Sequence, residues 1–338
     1  MRSTLDELST KLGDLKTLVE SIKPVNLAMA NHTDPAVRQY VPIRKRFDNA
    51  AFAIVLYSSF EKFIEGIVAA YAQLESRRLR YAELPRKLVK KHLARTAEML
   101  FRGRIGEGRY VGLTEMEVVK NLFGCLSGTE RYTPNKAAVV AHDRNLGVRE
   151  IDELFATVGV EQMCTRVRRA DAVVEWYRNM NGSPAASQDG VPAAAIEERI
   201  NDLVERRNQI AHGRGTPDEL PGVDKMGEAA GFIQAFAKSI FAITVGRYLQ
   251  DHHAGVQLVR RQNGGPYQNG KVVIINQPAH RIFRGQAVFV LEETFGARWG
   301  RIQSLRLDDV GIQEMEARQA LPMASESNWI SSIQRAPA

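Results

Sequence analysis

The stretch Glu205-Arg206-Arg207-Asn208-Gln209-Ile210-Ala211-His212-Gly213 holds three side chains whose types suit a phosphodiester. Arginine offers a planar fork of charged donors for the non-bridging oxygens. Histidine takes or gives a proton near neutral pH, and asparagine orients either partner or the substrate. On a helix Asn208 and His212 share one face with Val204, and Arg207 lies next to them around the cylinder. Ile196, Ile200 and Leu203 set an apolar stripe that runs on to position 207 and Ile210, so Arg207 interrupts a face that should pack. The plainer reading is a last-turn histidine favoured by the helix dipole beside an arginine paired with an acidic residue. The string lacks the clustered carboxylates of magnesium nucleases and has no second histidine at ligand spacing, so neither a metal nor a cofactor is expected.

Glu61 stands between Phe60 and Phe63, at the edge of another apolar stripe. Buried there, it would need Arg207 or Arg206 from a neighbouring helix as partner, and would orient the arginine rather than abstract a proton. The alternative is an exposed glutamate paired with Lys62. His32, His92 and His142 fall in loops or in a basic segment, His252-His253 closes a helix and His280 suits a strand edge; none has ligand spacing. Trp176 and Tyr177 are expected inside a helical core, with stacking on a base as the alternative use.

These residues must be carried by helices. Leu5, Leu8, Leu12, Leu15 and Val19 recur at three and four residues, predicting a helix over 5–22 that Pro24 ends. A longer one is expected from about Arg44 to Leu74, with Phe52, Leu56, Phe60, Phe63 and Ile67 on one face. Further helices are predicted at 86–100, 114–123, 149–155 and 161–180, while 127–148 shows turn signals and no period. The composition of NGSPAASQDGVP, 181–192, is that of a surface loop. The motif helix follows Pro192 and stops at Gly213 and Gly215, and a last one runs from about Lys225 to Leu249. After Gly255 the period changes from 3.6 to 2, and VQLVRR, KVVIINQ, HRIFRGQAVFVLEE and WGRIQSLRLDD read as five or six strands of a small barrel or curled sheet, with a polar tail from Glu314. The expected organisation is therefore mainly α: a helical domain over 1–252 with an insertion at about 77–150, then a small β-barrel-like domain over 255–330.

A length of 338 residues and 44% hydrophobic content exclude disorder along the whole chain. Two cysteines leave no disulfide scaffold and no multi-cysteine cluster. The polar start and the lack of a long apolar run point to a cytoplasmic protein without a membrane partner. The formal net charge is +7. Between Arg77 and Arg109 there are 11 Lys or Arg against three glutamates. Lys87, Lys90, Lys91 and Arg95 in this run, with Arg206 and Arg214 beside the motif, are candidate phosphate-binding residues. The alternative is a solvated face. In the β region Arg281, Arg284, Arg298 and Arg301 with Phe283 and Trp299 suit a nucleic-acid platform, partner docking or scaffolding.

Arg207-Asn208 followed after three residues by His212-Gly213, at a helix end in an all-α bundle, resembles the motif of the HEPN superfamily of ribonucleases and nucleotide-binding proteins. More narrowly the chain resembles the RiboL-PSP-HEPN group of prokaryotic proteins, whose long second helix carries an acidic residue in a setting like LYSSFEKFIEGIV and whose last helix pair opens with a string like ERRNQIAHG. The likeness covers about 44–76 and 160–250; the insertion and the β-rich region depart from a minimal bundle. It implies an antiparallel helical bundle, Arg207 and His212 as a catalytic pair with Asn208 as the polar residue after the arginine, and a homodimer with two motifs facing each other. It further implies metal-free RNA cleavage by 2′-hydroxyl attack, in a toxin or antiphage role with an antitoxin or sensor as partner, or else a non-catalytic nucleic-acid or nucleotide-binding regulator.

Overall fold

The computed structural model describes residues 1–103, 105–129, 131–181, 190–212, 221–252, 273–274, 281–292, 296–307, 310–315 and 328–335. Two compact units divide the chain, 1–244 and 245–338.

In the first unit, α1 (Arg2–Ala30) buries the expected leucines together with Val19 and Ile22, and packs along α2 (Pro35–Ser76). Pro24 does not end α1 but lies inside it. It forfeits one backbone bond, and the helix continues as an extension on which Leu27 is 64% exposed. Helix α2 begins well before Arg44: Asp34 caps it by accepting from the Ala36 amide at 2.8 Å, and Pro35 occupies a first-turn position where no N–H is needed. Phe60, Phe63, Ile64, Ile67 and Val68 of α2 are at most 1% exposed. Each such side chain contributes about 1.5–3 kcal/mol of burial. Phe60 meets Phe236 of α10 (Val223–His252) edge to face at 5.9 Å. Helix α10 is long and apolar, and 61% of its most hydrophobic stretch is buried. Helix α9 (Ala193–Ala211) packs on α2 and inserts Ile196, Ile200 and Leu203, the three stripe residues read from its sequence.

Residues 77–150 carry α3 (Arg86–Arg102), α4 (Glu115–Leu126) and the short α5 (Lys136–Val139). Met99, Val118 and Ala138 give them a small core of their own. His92 is fully buried there: its Nε2 accepts the Asn135 amide at 2.9 Å and its Nδ1 lies 2.8 Å from the Tyr81 hydroxyl. Because one nitrogen accepts an amide proton, the other must carry the ring proton. Burial pushes the imidazole pKa down to about 4, which keeps it neutral. Asn135 also donates from its side chain to the Val118 carbonyl at 3.0 Å, so the chain entering α5 is pinned from two sides.

Helix α6 (Val148–Thr157) follows, and the single helix expected over 161–180 is two, α7 (Met163–Val167) and α8 (Asp171–Asn181). The break is held by Val191, whose amide donates to the Arg168 carbonyl at 2.9 Å. Gly190 permits this contact, since its φ is +83° and a Cβ would come within 2.5 Å of that carbonyl oxygen.

The second unit holds β1 (Val273–Ile274), β2 (Ile282–Phe283), β3 (Ala287–Glu292), β4 (Gly296–Leu307), β5 (Val310–Ile312), β6 (Glu314–Met315) and β7 (Asn328–Arg335). The sheets are antiparallel: five strands run in the order β1-β7-β4-β3 with β5 also on β4, and β2 pairs with β6. A small sheet is thus present, but a barrel is not shown. Residues read as a polar tail supply β7, which lies between β1 and β4. Its string NWISSIQR has too little alternation to announce an interior strand. Ile282, Ile302 and Leu305 form the buried cluster. Phe283 and Arg284 are exposed, Arg301 donates to the Gly285 carbonyl at 2.9 Å, and Arg281 pairs with Glu314. The side chains of Arg298 and Trp299 lie outside the described residues.

Candidate functional site

Arg207 and Asn208 sit in the last turn of α9, and His212 is its C-cap, with the His212 amide bonded to the Asn208 carbonyl at 3.0 Å. The His212 side chain is exposed. Arg207 and Asn208 are half-buried and held from two directions. The Arg207 guanidinium lies over the Tyr57 ring of α2, 5.5 Å from its centre, and one of its nitrogens donates to the Asn208 side-chain oxygen at 3.2 Å. The same oxygen accepts at 2.8 Å from the Asn145 side chain, which comes from the segment between α5 and α6.

Tyr57 is the hub. It is 2% exposed, its hydroxyl accepts the Leu146 amide at 3.1 Å and donates to Glu61 at 3.1 Å, with the Asn145 side-chain oxygen at 3.4 Å. Burial raises its pKa far above the phenol value, so it stays a neutral hydroxyl, and the Leu146 amide acts in the other direction. Glu61 therefore lies in the same cluster as Arg207, but through Tyr57. Its partners are the Tyr57 hydroxyl and His142, whose Nε2 is 3.8 Å away. Lys62, the alternative partner, reaches Glu7.

His142, Glu65, Asn145 and Tyr57 belong to this site without having been singled out as candidates. His142 donates from Nε2 to Glu65 at 3.0 Å, and its Nδ1 faces the Arg144 carbonyl at 2.6 Å. The Glu65 hydrogen bond raises the imidazole pKa above its ordinary 6.5, opposed by burial and aided by that carbonyl. A sequence signal existed: Tyr57, Glu61 and Glu65 recur every four residues, a polar line beside the apolar stripe of α2. Nothing local showed that HDRNL, 142–146, would lie against that line.

Arg206 pairs with Asp202 at 2.8 Å. Lys87 pairs with Glu161 at 2.8 Å, and Lys90 is exposed. Arg95 bonds Glu98 at 2.7 Å and also Asp143, which ties α3 to the His142 segment. Lys91 is half-buried near the same carboxylates, and burial pushes its pKa down to about 8, helped by Arg95 and opposed by Asp143 and Glu65. Arg214 lies outside the described residues.

A family model described as RiboL-PSP-HEPN matches residues 5–245. The chain belongs to the RiboL-PSP-HEPN family. The match spans the whole helical unit, insertion included, rather than the two separate stretches that the residue likeness covered. No curated protein and no solved structure matches the chain. Membership in this HEPN-domain family associates the chain with RNase-like or nucleotide-related functions, in a family whose members often bind RNA and form dimers. In this HEPN bundle the Arg207-Asn208 pair is braced by α2 and by the 142–146 segment, while His212 faces solvent at the helix end.

Proposed function

We propose that the protein is a metal-independent endoribonuclease of the cytoplasm, acting as a toxin or an antiphage effector and held in check by an antitoxin or a sensor. The observation that carries this reading is the fixed Arg207 guanidinium beside Asn208, one turn from the exposed His212. Arg207 is placed to bind a non-bridging phosphate oxygen and to stabilise the charge that builds on the phosphorus centre. A histidine base takes the proton of the 2′-hydroxyl, whose oxygen attacks phosphorus. The P–O5′ bond breaks, an acid protonates the leaving oxygen, and the products are a 2′,3′-cyclic phosphate and a 5′-hydroxyl. One His212 serves one side of this in-line displacement, so a homodimer that brings two motifs together supplies base and acid.

The deciding experiment incubates purified protein with total RNA in EDTA and types the cut ends. Cyclic phosphate and 5′-hydroxyl termini support the reading. Cleavage that stops on chelation and returns with magnesium overturns the metal-free mechanism. Binding without cutting points to the regulator of nucleic acid or nucleotide instead. Undiminished specific activity in a species that sedimentation shows to be monomeric would remove the shared site.

A further inference from the structure

We propose that His142 is a positioning residue, an imidazolium latch that holds the 142–146 segment on α2 and thereby fixes Asn208 and Arg207. The inference rests on the ribonuclease reading for its consequence in rate, but not for its structural content.

Hydrogen bonds and the backbone of 142–146 together form one path. Glu65 accepts from His142 at 3.0 Å, and the other His142 nitrogen meets the Arg144 carbonyl at 2.6 Å. A carboxylate and a carbonyl are both acceptors, so the ring fits only when both nitrogens carry protons. Its side chain is 11% exposed, against 21% for Glu65 and 29% for Glu61, which keeps the pair largely out of water. Three residues on, Asn145 donates to Asn208 at 2.8 Å, and the Leu146 amide bonds the Tyr57 hydroxyl that in turn holds Glu61. A short segment of the insertion thus grips α2 at one end and the motif helix at the other.

The charges around His142 come from every side. Helix α2 presents Glu61 and Glu65, α3 presents Lys91 with Arg95 and Arg102 acting through Asp143, the segment itself contributes Asp143 and Arg144, and α9 contributes Arg207 on Tyr57. The two carboxylates outweigh the partly neutralised cations nearby. They favour the charged ring, so its proton is held to higher pH than on a free imidazole and is lost as pH rises past the raised pKa. Deprotonation removes the ring's charge from between Glu61 and Glu65 and turns a ring nitrogen's lone pair toward an acceptor. The latch opens on the alkaline side.

The test uses the full chain with labelled histidine and asparagine. The ring signal of His142 gives its midpoint by NMR, and the side-chain amide signals of Asn145 and Asn208 are followed over the same pH range without RNA. We expect both amides to move with the His142 midpoint in the wild type and to stay still in His142→Gln. Amides that do not follow the ring overturn the proposal whether or not the protein cuts RNA. If they follow it while no RNA is cut, the latch stands and the ribonuclease reading falls. Where cleavage is present, its rate should drop above that midpoint, His142→Gln should lose roughly 10- to 100-fold through misplacement of Arg207, and His142→Lys should move the alkaline limb upward. A His142→Gln enzyme with wild-type rate and pH profile refutes the latch. Should that variant fail to fold by circular dichroism, the wild-type titration decides alone.

Discussion

Acid should unfasten the insertion before it attacks anything else in the helical unit, because of His92. The ring is 0% exposed, accepts the Asn135 amide and is held near pKa 4 by burial. An unfolded chain binds this proton with the ordinary pKa of 6.5, so between 6.5 and about 4 it takes up a proton that the folded chain refuses. The sign is therefore a loss of stability as pH falls through that window, complete near its lower end. A gap of roughly 2.5 pH units at 1.36 kcal/mol for each corresponds to about 3 kcal/mol. The perturbation is His92→Gln, which keeps a donor and an acceptor and cannot titrate; imperfect geometry at Asn135 and Tyr81 should cost about 1–3 kcal/mol at neutral pH. Urea unfolding followed by circular dichroism in steps from pH about 8 to about 4 gives both curves, and their difference isolates the histidine from every other group. We expect the wild-type advantage at neutral pH to shrink or reverse over the acid window. A difference that stays flat refutes the argument. The consequence for function follows from connectivity, since His92 pins Asn135, and the chain then runs through α5 to His142 and Asn145.

Arg207→Ala and His212→Ala should each lower RNA cleavage by roughly 10²- to 10⁴-fold with the helical signal intact, and wild-type rates in either remove that residue from the chemistry. Tyr57→Phe removes the acceptor of the buried Leu146 amide and the donor to Glu61, so it should cost about 1–3 kcal/mol and lower the melting temperature; an unchanged melt contradicts the hub assignment. Replacing Lys87, Lys90, Lys91 and Arg95 together by glutamine should weaken RNA binding across sequences and flatten its salt dependence, by a slope of about 0.7 for each lost phosphate contact on a single strand. Since Lys87 and Arg95 already have carboxylate partners, Lys90→Gln alone should account for a large part of the effect, and an identical affinity and slope in the quadruple variant makes the run a solvated face.

What the sequence discloses and what it hides divide along physical lines. Period and capping reveal the buried sides of α1, α2 and α9, because Leu5, Phe60 and Ile200 each answer to neighbours three and four residues away. A proline misleads: Pro24 lies inside a helix whose remaining bonds and packed face outweigh one missing N–H. The interior strand β7 escapes because its partners lie far away in sequence. The site divides in the same way. Arg207, Asn208 and His212 are legible since one helix turn brings them together, whereas His142 and Asn145 join them only through tertiary contact with α2 and α9.

That division bears on how the site works. Arg207 and His212 come with the helix, but the orientation of Arg207 depends on Tyr57 and, through Asn208, on Asn145. The support belongs to the 77–150 segment, which has its own small core and its own buried histidine. The two histidines respond to pH in opposite senses. His92 loosens the support when it gains a proton and His142 when it loses one, so the intact arrangement would be lost below one midpoint and above the other. Cleavage should therefore follow a bell-shaped pH profile in which His92→Gln flattens the acid limb and His142→Lys displaces the alkaline one. Limbs that do not respond to these two substitutions would return the profile to the motif itself and leave the insertion as a scaffold without influence on the chemistry.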